Sequence, residues 1–426
     1  MPPHYQGGLL RRKDGATRTH DGWGQAMAAD AGREKGRTAE VFGAFLRLGL
    51  TSFGGPIAHL GYFRQEFVAR RGWLSDAAYA ELVALCQFLP GPASSQLGFA
   101  LGLMRAGWRG ALAAFVAFTL PSALALMLLA ALGGALDSPL WRGAMGGLGL
   151  LAVAVVAQAL IGMARGLCPD APRATIAAGA LGMLAVAPGA VGMVGAIMLG
   201  ALAGMALPAR ATDAPAAIPA MPVGPRGGLV ALGVLGAALL LLPALAAAWP
   251  GLALADAVFR AGAFVFGGGH VVLPLLETAV VAPGWVAPED FVAGYGAAQA
   301  VPGPLFSVAA HVGFVQQGAP NGVAGAFVAL IAIFAPGFLI LSAALPFWSR
   351  IGTLGAARRA VQGANAAVVG ILGAALHDPL LTGSVRGGLD LAVAAGLFVM
   401  LTLWRVPLPL VALVAAGAGA LRASLA

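Results

Sequence analysis

Two arginines at matching positions of hydrophobic sequence are the residues best suited to chemistry in this chain. Arg47 precedes Phe53 by six residues, and Arg260 precedes Phe266 by six residues. A guanidinium is always protonated and offers a planar fork of donors, which suits a tetrahedral oxyanion better than an ammonium does. A charge within apolar sequence is costly, so it marks a functional site unless it reaches the headgroups from near a helix end. The pair therefore predicts an oxyanion site.

Each arginine is followed by two motifs that break helices. Phe-Gly-Gly occupies residues 53–55 and 266–268, and Pro-Gly-Pro occupies 90–92 and 302–304. A proline removes an amide donor, and backbone groups freed within lipid need protein, water or substrate as partners. A half-helix that starts after such a break points unpaired amides and a partly positive dipole end at an anion. The breaks therefore predict anion-binding backbone, with packing kinks as the alternative.

The predicted substrate-binding residues are the two arginines together with polar and small residues at the breaks. They are Arg47, Ser52, Gly54, Gly55, Gln87, Pro90, Gly91, Ser94, Ser95, Arg260, Gly267, Gly268, Gln299, Pro302, Gly303 and Ser307. The two glutamines precede Pro-Gly-Pro by three residues, where each either orients substrate oxygens or caps the broken backbone. His59, Glu81 and His270 are candidates for a proton relay, with hydrogen-bonded packing or ion pairing as the alternative.

These residues belong to a duplicated unit. The spacing from Phe53 to Gln87 is 34 residues, and that from Phe266 to Gln299 is 33 residues. The polar connection in the first copy carries three arginines, whereas its counterpart carries none and is acidic. By the positive-inside rule, the first copy shows these loops to the cytosol and the second shows them to the outside. The halves are therefore predicted to be antiparallel, with the site at their interface near the midplane.

Composition predicts a membrane protein. The chain is 59% hydrophobic and 10% charged, and its mean hydropathy is +0.87. Its 63 glycines fit helices that pack closely in lipid. We therefore predict an all-α polytopic membrane protein with two homologous, inverted halves, broken or re-entrant helices and roughly ten to thirteen membrane segments. Ordinary kinked spans are the alternative to re-entrant helices.

The same analysis divides the chain and excludes several classes of protein. Residues 1–38 are predicted to be a disordered cytosolic tail, 39–207 the first repeat, 208–226 a proline-rich linker and 227–426 the second repeat. The net charge of +8 follows the tail and short loops, so it does not indicate nucleic-acid binding. The two cysteines have no metal or redox spacing. With no nucleotide-binding loop and no nucleophile beside a base, the sequence predicts neither an enzyme nor a cofactor.

Four strings of sequence closely resemble the chromate transporter (CHR) family. They lie at residues 49–63, 87–92, 264–274 and 365–370, and the resemblance extends over roughly residues 40–420. It implies the long form of the family, in which homologous halves lie antiparallel in the bacterial inner membrane. It also implies export of chromate from the cytoplasm and chromate resistance, with sulfate as the related oxyanion. Separately from the resemblance, a homodimer is one expected assembly. A sulfate or other oxyanion permease, an anion channel and a membrane reductase are the alternatives.

Overall fold

The computed structural model describes residues 37–136, 138–207, 221–266, 268–351 and 354–425, and every regular element within them is helical. Most of the predicted tail, most of the predicted linker and Gly267 lie outside these ranges. The first seven helices are 37–51 (α1), Gly55–Phe63 (α2), Asp76–Phe88 (α3), Ala93–Leu136 (α4), Pro139–Leu167 (α5), Ala171–Val186 (α6) and Ala190–Met205 (α7). A π-helical segment, Arg64–Arg70, extends α2.

The remaining helices follow the predicted linker region, where Pro225 begins α8. They are Pro225–Ala248 (α8), Ala253–Ala263 (α9), Val272–Val280 (α10), Pro288–Ala300 (α11), Val308–Val315 (α12), Gly322–Ala344 (α13), Trp348–Ile351 (α14), Gly355–Ala375 (α15), Thr382–Ser384 (α16), Gly388–Thr402 (α17) and Leu408–Leu425 (α18). Single 3₁₀ turns, Gly269–Val271 and Leu305–Ser307, precede α10 and α12. The order of α1–α7 therefore recurs in α9–α18, and α8 lies between the two copies.

Side-chain caps and glycines fix where several helices begin and reverse. The hydroxyl of Ser75 accepts a hydrogen bond from the amide of Ala78 at the start of α3, and Ser138 caps α5 in the same way. Within α4 the backbone leaves helical geometry at Ala106 and Gly107, where Gly107 has φ +63°. The chain reverses there, so α4 is two helices, 93–105 and 108–136, that pack side by side.

Six helices are long and apolar enough to cross a membrane among the residues that the structure describes. They lie in the helical stretches Ala93–Gly133, Pro139–Leu167, Pro225–Ala248, Gly322–Arg350, Gly355–Ser384 and Leu408–Leu425. In the first stretch, the helix that is long enough is the second part of α4, which begins at residue 108. Five shorter apolar helices of 10–17 residues accompany them. A helix of 16 residues is about 24 Å long, which is less than the roughly 30 Å thickness of the hydrocarbon core. Each of these shorter helices alone therefore covers only part of that thickness. The prediction of an all-α polytopic membrane protein is confirmed.

The first half contains two hairpins that enter and leave on the same side. Glu40, near the start of α1, accepts hydrogen bonds from Arg71 at 3.3 Å and from Arg105 at 2.8 Å. Arg71 directly follows the π-helical extension of α2, and Arg105 ends the first part of α4. The chain thus returns twice to the level at which α1 begins. The predicted breaks, Phe-Gly-Gly and Pro-Gly-Pro, form the tips of these two hairpins.

A long helix of each half packs against a helix of the other half. In the first half α5 packs against α18, and in the second half its counterpart α15 packs against α7. The closest approach is through small residues, because a Cβ atom on Gly147 would lie 2.0 Å from the carbonyl oxygen of Ala415. At the equivalent crossing, a Cβ atom on Gly363 would lie 2.0 Å from the carbonyl oxygen of Gly200. Each half therefore supplies the helix that completes the other.

Candidate functional site

Two equivalent backbone hydrogen bonds join the hairpin tips of the two halves. The amide of Gly91 donates to the carbonyl of Val265 at 2.7 Å, and the amide of Gly303 donates to the carbonyl of Ser52 at 3.0 Å. Both acceptors directly precede a Phe-Gly-Gly motif. The two glycines have φ of +120° and +111°, values that favour glycine over any side chain. Each Pro-Gly-Pro motif therefore docks onto the Phe-Gly-Gly break of the opposite half.

The glycine breaks of the two halves contact each other. Pro56 and Gly269 each lie three residues after the first residue of their Phe-Gly-Gly motifs. A Cβ atom on Gly269 would lie 2.9 Å from Cγ of Pro56, so these equivalent residues touch each other. Gly54 and Gly268, with φ of +97° and +141°, turn the backbone on either side of this contact.

His270 reaches from the second half toward the break of the first half. Its Nδ1 atom lies 3.1 Å from the hydroxyl of Tyr295 and 3.5 Å from the amide nitrogen of Gln299. When the tyrosine hydroxyl donates to Nδ1, the neutral ring carries its proton on Nε2. Nε2 is 3.9 Å from the point where a Cβ atom of Gly55 would stand. In that tautomer, a hydrogen-bond donor of the second half faces the glycine break of the first half.

His59 occupies a more enclosed position in the first half. Its side chain is fully buried, its Nε2 atom lies 3.3 Å from the carbonyl oxygen of Ser52, and its ring packs edge-on against Phe118. Donation from Nε2 to Ser52 leaves Nδ1 as an acceptor, and Nδ1 has no hydrogen-bond partner among the described residues. His59 therefore stabilises the carbonyl that also accepts from Gly303.

Several hydroxyl groups are buried around the tips. The hydroxyls of Ser122 and Ser307, from opposite halves, lie 2.7 Å apart. Within the described part of the chain, the hydroxyls of Ser52, Ser95 and Thr119 are buried without a hydrogen-bond partner. Buried polar groups normally have partners, so such hydroxyls are available to water or to a bound anion. Ser94, two residues after the first Pro-Gly-Pro motif, is also buried.

Four of the predicted residues lie apart from this cluster of contacts. Arg260 pairs with Asp256 at 2.8 Å and donates to the carbonyl of Leu239 on α8 at 3.0 Å. Arg47, its counterpart, is exposed on α1 and lines a surface groove. The matching arginines therefore occupy different surroundings.

Glu81 and Gln87 are the other two predicted residues that lie apart from the cluster. Glu81 accepts a hydrogen bond from the indole nitrogen of Trp348 at 2.6 Å, which ties α3 to α14. Gln87 is exposed at the end of α3, whereas its counterpart Gln299 is buried. Gly267 lies outside the described residues.

Four polar residues at the tips were not singled out from the sequence. They are Gln96, Thr119, Ser122 and Tyr295. Gln96 donates from Nε2 to the carbonyls of Pro90 and Gly337, each at 2.9 Å, and so links the first tip to α13. Tyr295 lies one helical turn before Gln299, a spacing that places both on one face of α11. That spacing was the available signal for Tyr295, whereas the contacts of Gln96 and Ser122 depend on the opposite half.

Comparison with known proteins agrees with this architecture. The sequence model described as Chromate transporter matches residues 39–205 and 252–421. The chain belongs to the chromate transporter family. It is 30% identical over 399 residues to the probable chromate transport protein of Synechococcus elongatus, covering 88% of this chain and 93% of that relative.

Two further relatives are similar over most of their length. The chain is 30% identical over 343 residues to the chromate transport protein of Cupriavidus metallidurans, covering 77% of this chain and 79% of the relative. It is 27% identical over 352 residues to the chromate transport protein of Pseudomonas aeruginosa, covering 80% of each chain. No solved structure matches this chain. The two separate matches of the family model coincide with the two copies seen in the fold.

Proposed function

We propose that this protein is a secondary transporter that exports chromate from the cytoplasm across the bacterial inner membrane and confers chromate resistance. Family membership and the names of three relatives support chromate as the substrate. The observation that carries the mechanism is the reciprocal pair of hydrogen bonds between the hairpin tips. A site built from one motif of each half changes shape whenever one half moves against the other, which is what alternating access requires.

The anion occupies the region between the tips. Backbone amides after the breaks, the hydroxyls of Ser52, Ser95 and Ser307, and Nε2 of His270 provide donors without placing a carboxylate beside the anion. Gln299 and Tyr295 hold the ring of His270. Arg47 attracts the anion from the exposed side of α1, while Arg260 fastens α9 to α8. His59 and His270 are the candidates for moving a proton.

The two halves are inverted in the membrane. Between the start of α1 and the start of α9, the second part of α4, α5 and α8 each cross once. The shorter helices α6 and α7 have 16 residues each and pack against each other as a hairpin, so together they add an even number of crossings, two or none. The total is then five or three crossings, and either odd number puts the second repeat on the opposite side. The arginine-rich connections of the first half support this orientation.

The membrane potential alone favours export. Moving one charge through 100 mV changes its free energy by about 2.3 kcal/mol, so a chromate dianion gains about 4.6 kcal/mol on leaving a negative-inside cell. Coupled proton movement is therefore not required for net efflux.

Uptake of radiolabelled chromate by proteoliposomes containing the purified protein tests the proposal. We expect saturable uptake driven by an inside-positive potential, and excess unlabelled sulfate shows whether both oxyanions use the site. Uptake that rises linearly with concentration would indicate an anion channel, and uptake of sulfate without chromate would indicate a different permease. A flavin or haem absorption band in the purified protein would favour the reductase alternative.

A further inference from the structure

A polar groove lies on the first half, away from the hairpin tips. It runs between α1 and the arm formed by α2 with its π-helical extension, and its volume is about 540 Å³. Its lining is Arg47, Leu48, Thr51, Tyr62, Gln65, Glu66, Ala69 and Arg70. Arg47 lies seven residues beyond Glu40, which is about 10 Å along the helix axis. The groove thus extends from the level of the Glu40 ion pairs toward the break that follows Ser52.

The electrostatics of the groove favour an anion. Glu66 pairs with Arg70 at 3.0 Å and with Arg71 at 2.6 Å. Burial raises the pKa of Glu66, but hydrogen bonds from the two arginines outweigh burial and hold the pKa below its ordinary value of 4.5. The charged residues of the lining are Arg47 and Arg70 against Glu66, which leaves a net charge of +1. Arg71 and Arg105 beside the groove pair with Glu66 and Glu40.

Arg47 is the cation of this groove that lacks an ion-pair partner. Its guanidinium has no hydrogen bond or ion pair within the described part of the chain, whereas Arg70 and Arg71 are engaged with Glu66. Because Arg47 is exposed, its donors are available to water or to an anion. The neighbouring hydroxyl of Thr51 is bonded to the carbonyl of Arg47 at 2.8 Å, which leaves Gln65 and Tyr62 as further donors across the groove.

The equivalent position in the second half is chemically different. Counting from the Phe-Gly-Gly motif, the positions that match Gln65, Glu66 and Arg70 hold Thr278, Ala279 and Pro283. The matching arginine, Arg260, is neutralised by Asp256 and bonded to the backbone of α8. α8 packs along α9 and α13, and it has no counterpart among the described helices of the first half. The second half therefore offers no unpaired arginine at this position.

We propose that the groove between α1 and α2 is an access site for the oxyanion on the cytosolic side, where Arg47 and Gln65 bind it before it reaches the tips. This inference rests on the proposed function and adds a second binding site to it. The site belongs to the first half, because Asp256 and α8 already engage the matching arginine of the second half. The protein therefore has two chemically different routes to a nearly symmetric centre.

A chemical test of the groove is independent of transport. In a variant with Cys86→Ala and Cys168→Ala, a single cysteine replaces Gln65 and is labelled in everted vesicles with methanethiosulfonate reagents of opposite charge. We expect the groove to favour labelling by the anionic sulfonatoethyl reagent over labelling by the cationic trimethylammonium reagent. Arg47→Gln is expected to lower the ratio of the anionic to the cationic labelling rate about tenfold. Thr278→Cys is the matched control. We expect either that this cysteine is labelled negligibly or that Arg260→Gln leaves its ratio of labelling rates unchanged. Labelling of Gln65→Cys from the periplasmic side only, or a ratio insensitive to Arg47, would overturn the proposal.

Transport kinetics complete the test. In everted vesicles we expect Arg47→Gln to raise the KM for chromate about tenfold, the size expected for losing one charge-assisted hydrogen bond, with little change in maximal rate. Arg64→Gln removes an exposed arginine outside the groove and is expected to leave KM unchanged. An unchanged KM for Arg47→Gln would overturn the access site while leaving the transporter intact. Absence of uptake by the wild type would refute the proposed substrate, and the labelling ratio would still report on the groove.

Discussion

The amide of Gly303 donates to the carbonyl of Ser52 across the boundary between the two halves, at 3.0 Å. A Cβ atom on Gly303 would lie 2.8 Å from the hydroxyl oxygen of Ser122, and φ at this position is +111°. We therefore expect Gly303→Ala to lower chromate transport at least tenfold, because the second tip can no longer dock on the first half. Uptake by proteoliposomes measures this effect.

Gly284→Ala is the matched control for Gly303→Ala. Gly284 also has a positive φ, +78°, but nothing lies within 4 Å of the position of its Cβ. The control carries the same backbone strain without the clash. Equal loss of transport in the two variants would mean that strain, rather than docking of the tip, explains the result.

The crossing of α5 and α18 predicts a sharp difference between two adjacent glycines. A Cβ on Gly147 would lie 2.0 Å from a backbone oxygen of α18, whereas nothing lies within 4 Å of the Cβ position of Gly146. We expect Gly147→Ala to destabilise the protein by about 1–3 kcal/mol, while Gly146→Ala is neutral or slightly stabilising. Thermal unfolding in detergent, followed by tryptophan fluorescence, compares the two. A similar melting temperature for both would contradict the exchange of helices between halves.

Tyr295→Phe tests the role of the hydroxyl that positions His270. Loss of one hydrogen bond costs roughly 0.5–1.5 kcal/mol, so we expect the KM for chromate to rise about twofold to tenfold. Tyr79→Phe is the control, because its hydroxyl bonds the carbonyl of Leu60 at 2.6 Å, away from the tips. That variant is expected to lose some thermal stability and to keep its KM. If the two variants affect KM alike, Tyr295 does not act through the anion site.

Glu66 predicts a pH dependence of stability. Its folded-state pKa is lowered by Arg71 and Arg70, so its stabilising contribution is complete above the ordinary pKa of 4.5 and is lost as pH falls through the folded value. We expect Glu66→Gln to lower the melting temperature by a constant amount between pH 5 and pH 8, and this difference to shrink below about pH 4.5. Glu289→Gln, which removes an exposed carboxylate from α11, serves as control. A difference that grows on acidification would contradict the assigned ion pairs.

Much of the fold follows from short-range features of the sequence. The Phe-Gly-Gly and Pro-Gly-Pro motifs predicted the hairpin tips because glycine and proline determine backbone geometry locally. Apolar runs likewise predicted the long helices, since hydrophobic length sets a membrane span. The duplication was visible from spacing alone, and the family model matches the same two regions.

The contacts between site residues are harder to predict from the sequence. The bonds Gly91–Val265 and Gly303–Ser52 join residues far apart in the chain, and local sequence contains no information on which tip meets which break. The arginines show the same difficulty. Arg47 and Arg260 have identical spacing, but α8 covers only Arg260, so equal sequence positions acquired unequal surroundings.

The exchange of α5 and α7 with α18 and α15 also constrains how the protein is made. When the first half has left the ribosome, the small-residue faces of α5 and α7 are uncovered, because α15 and α18 are synthesised later. The nascent chain therefore cannot acquire its packed state stepwise, one half after the other. A chain truncated before α18 presents an unfinished membrane surface, which makes it a natural substrate for membrane quality-control proteases.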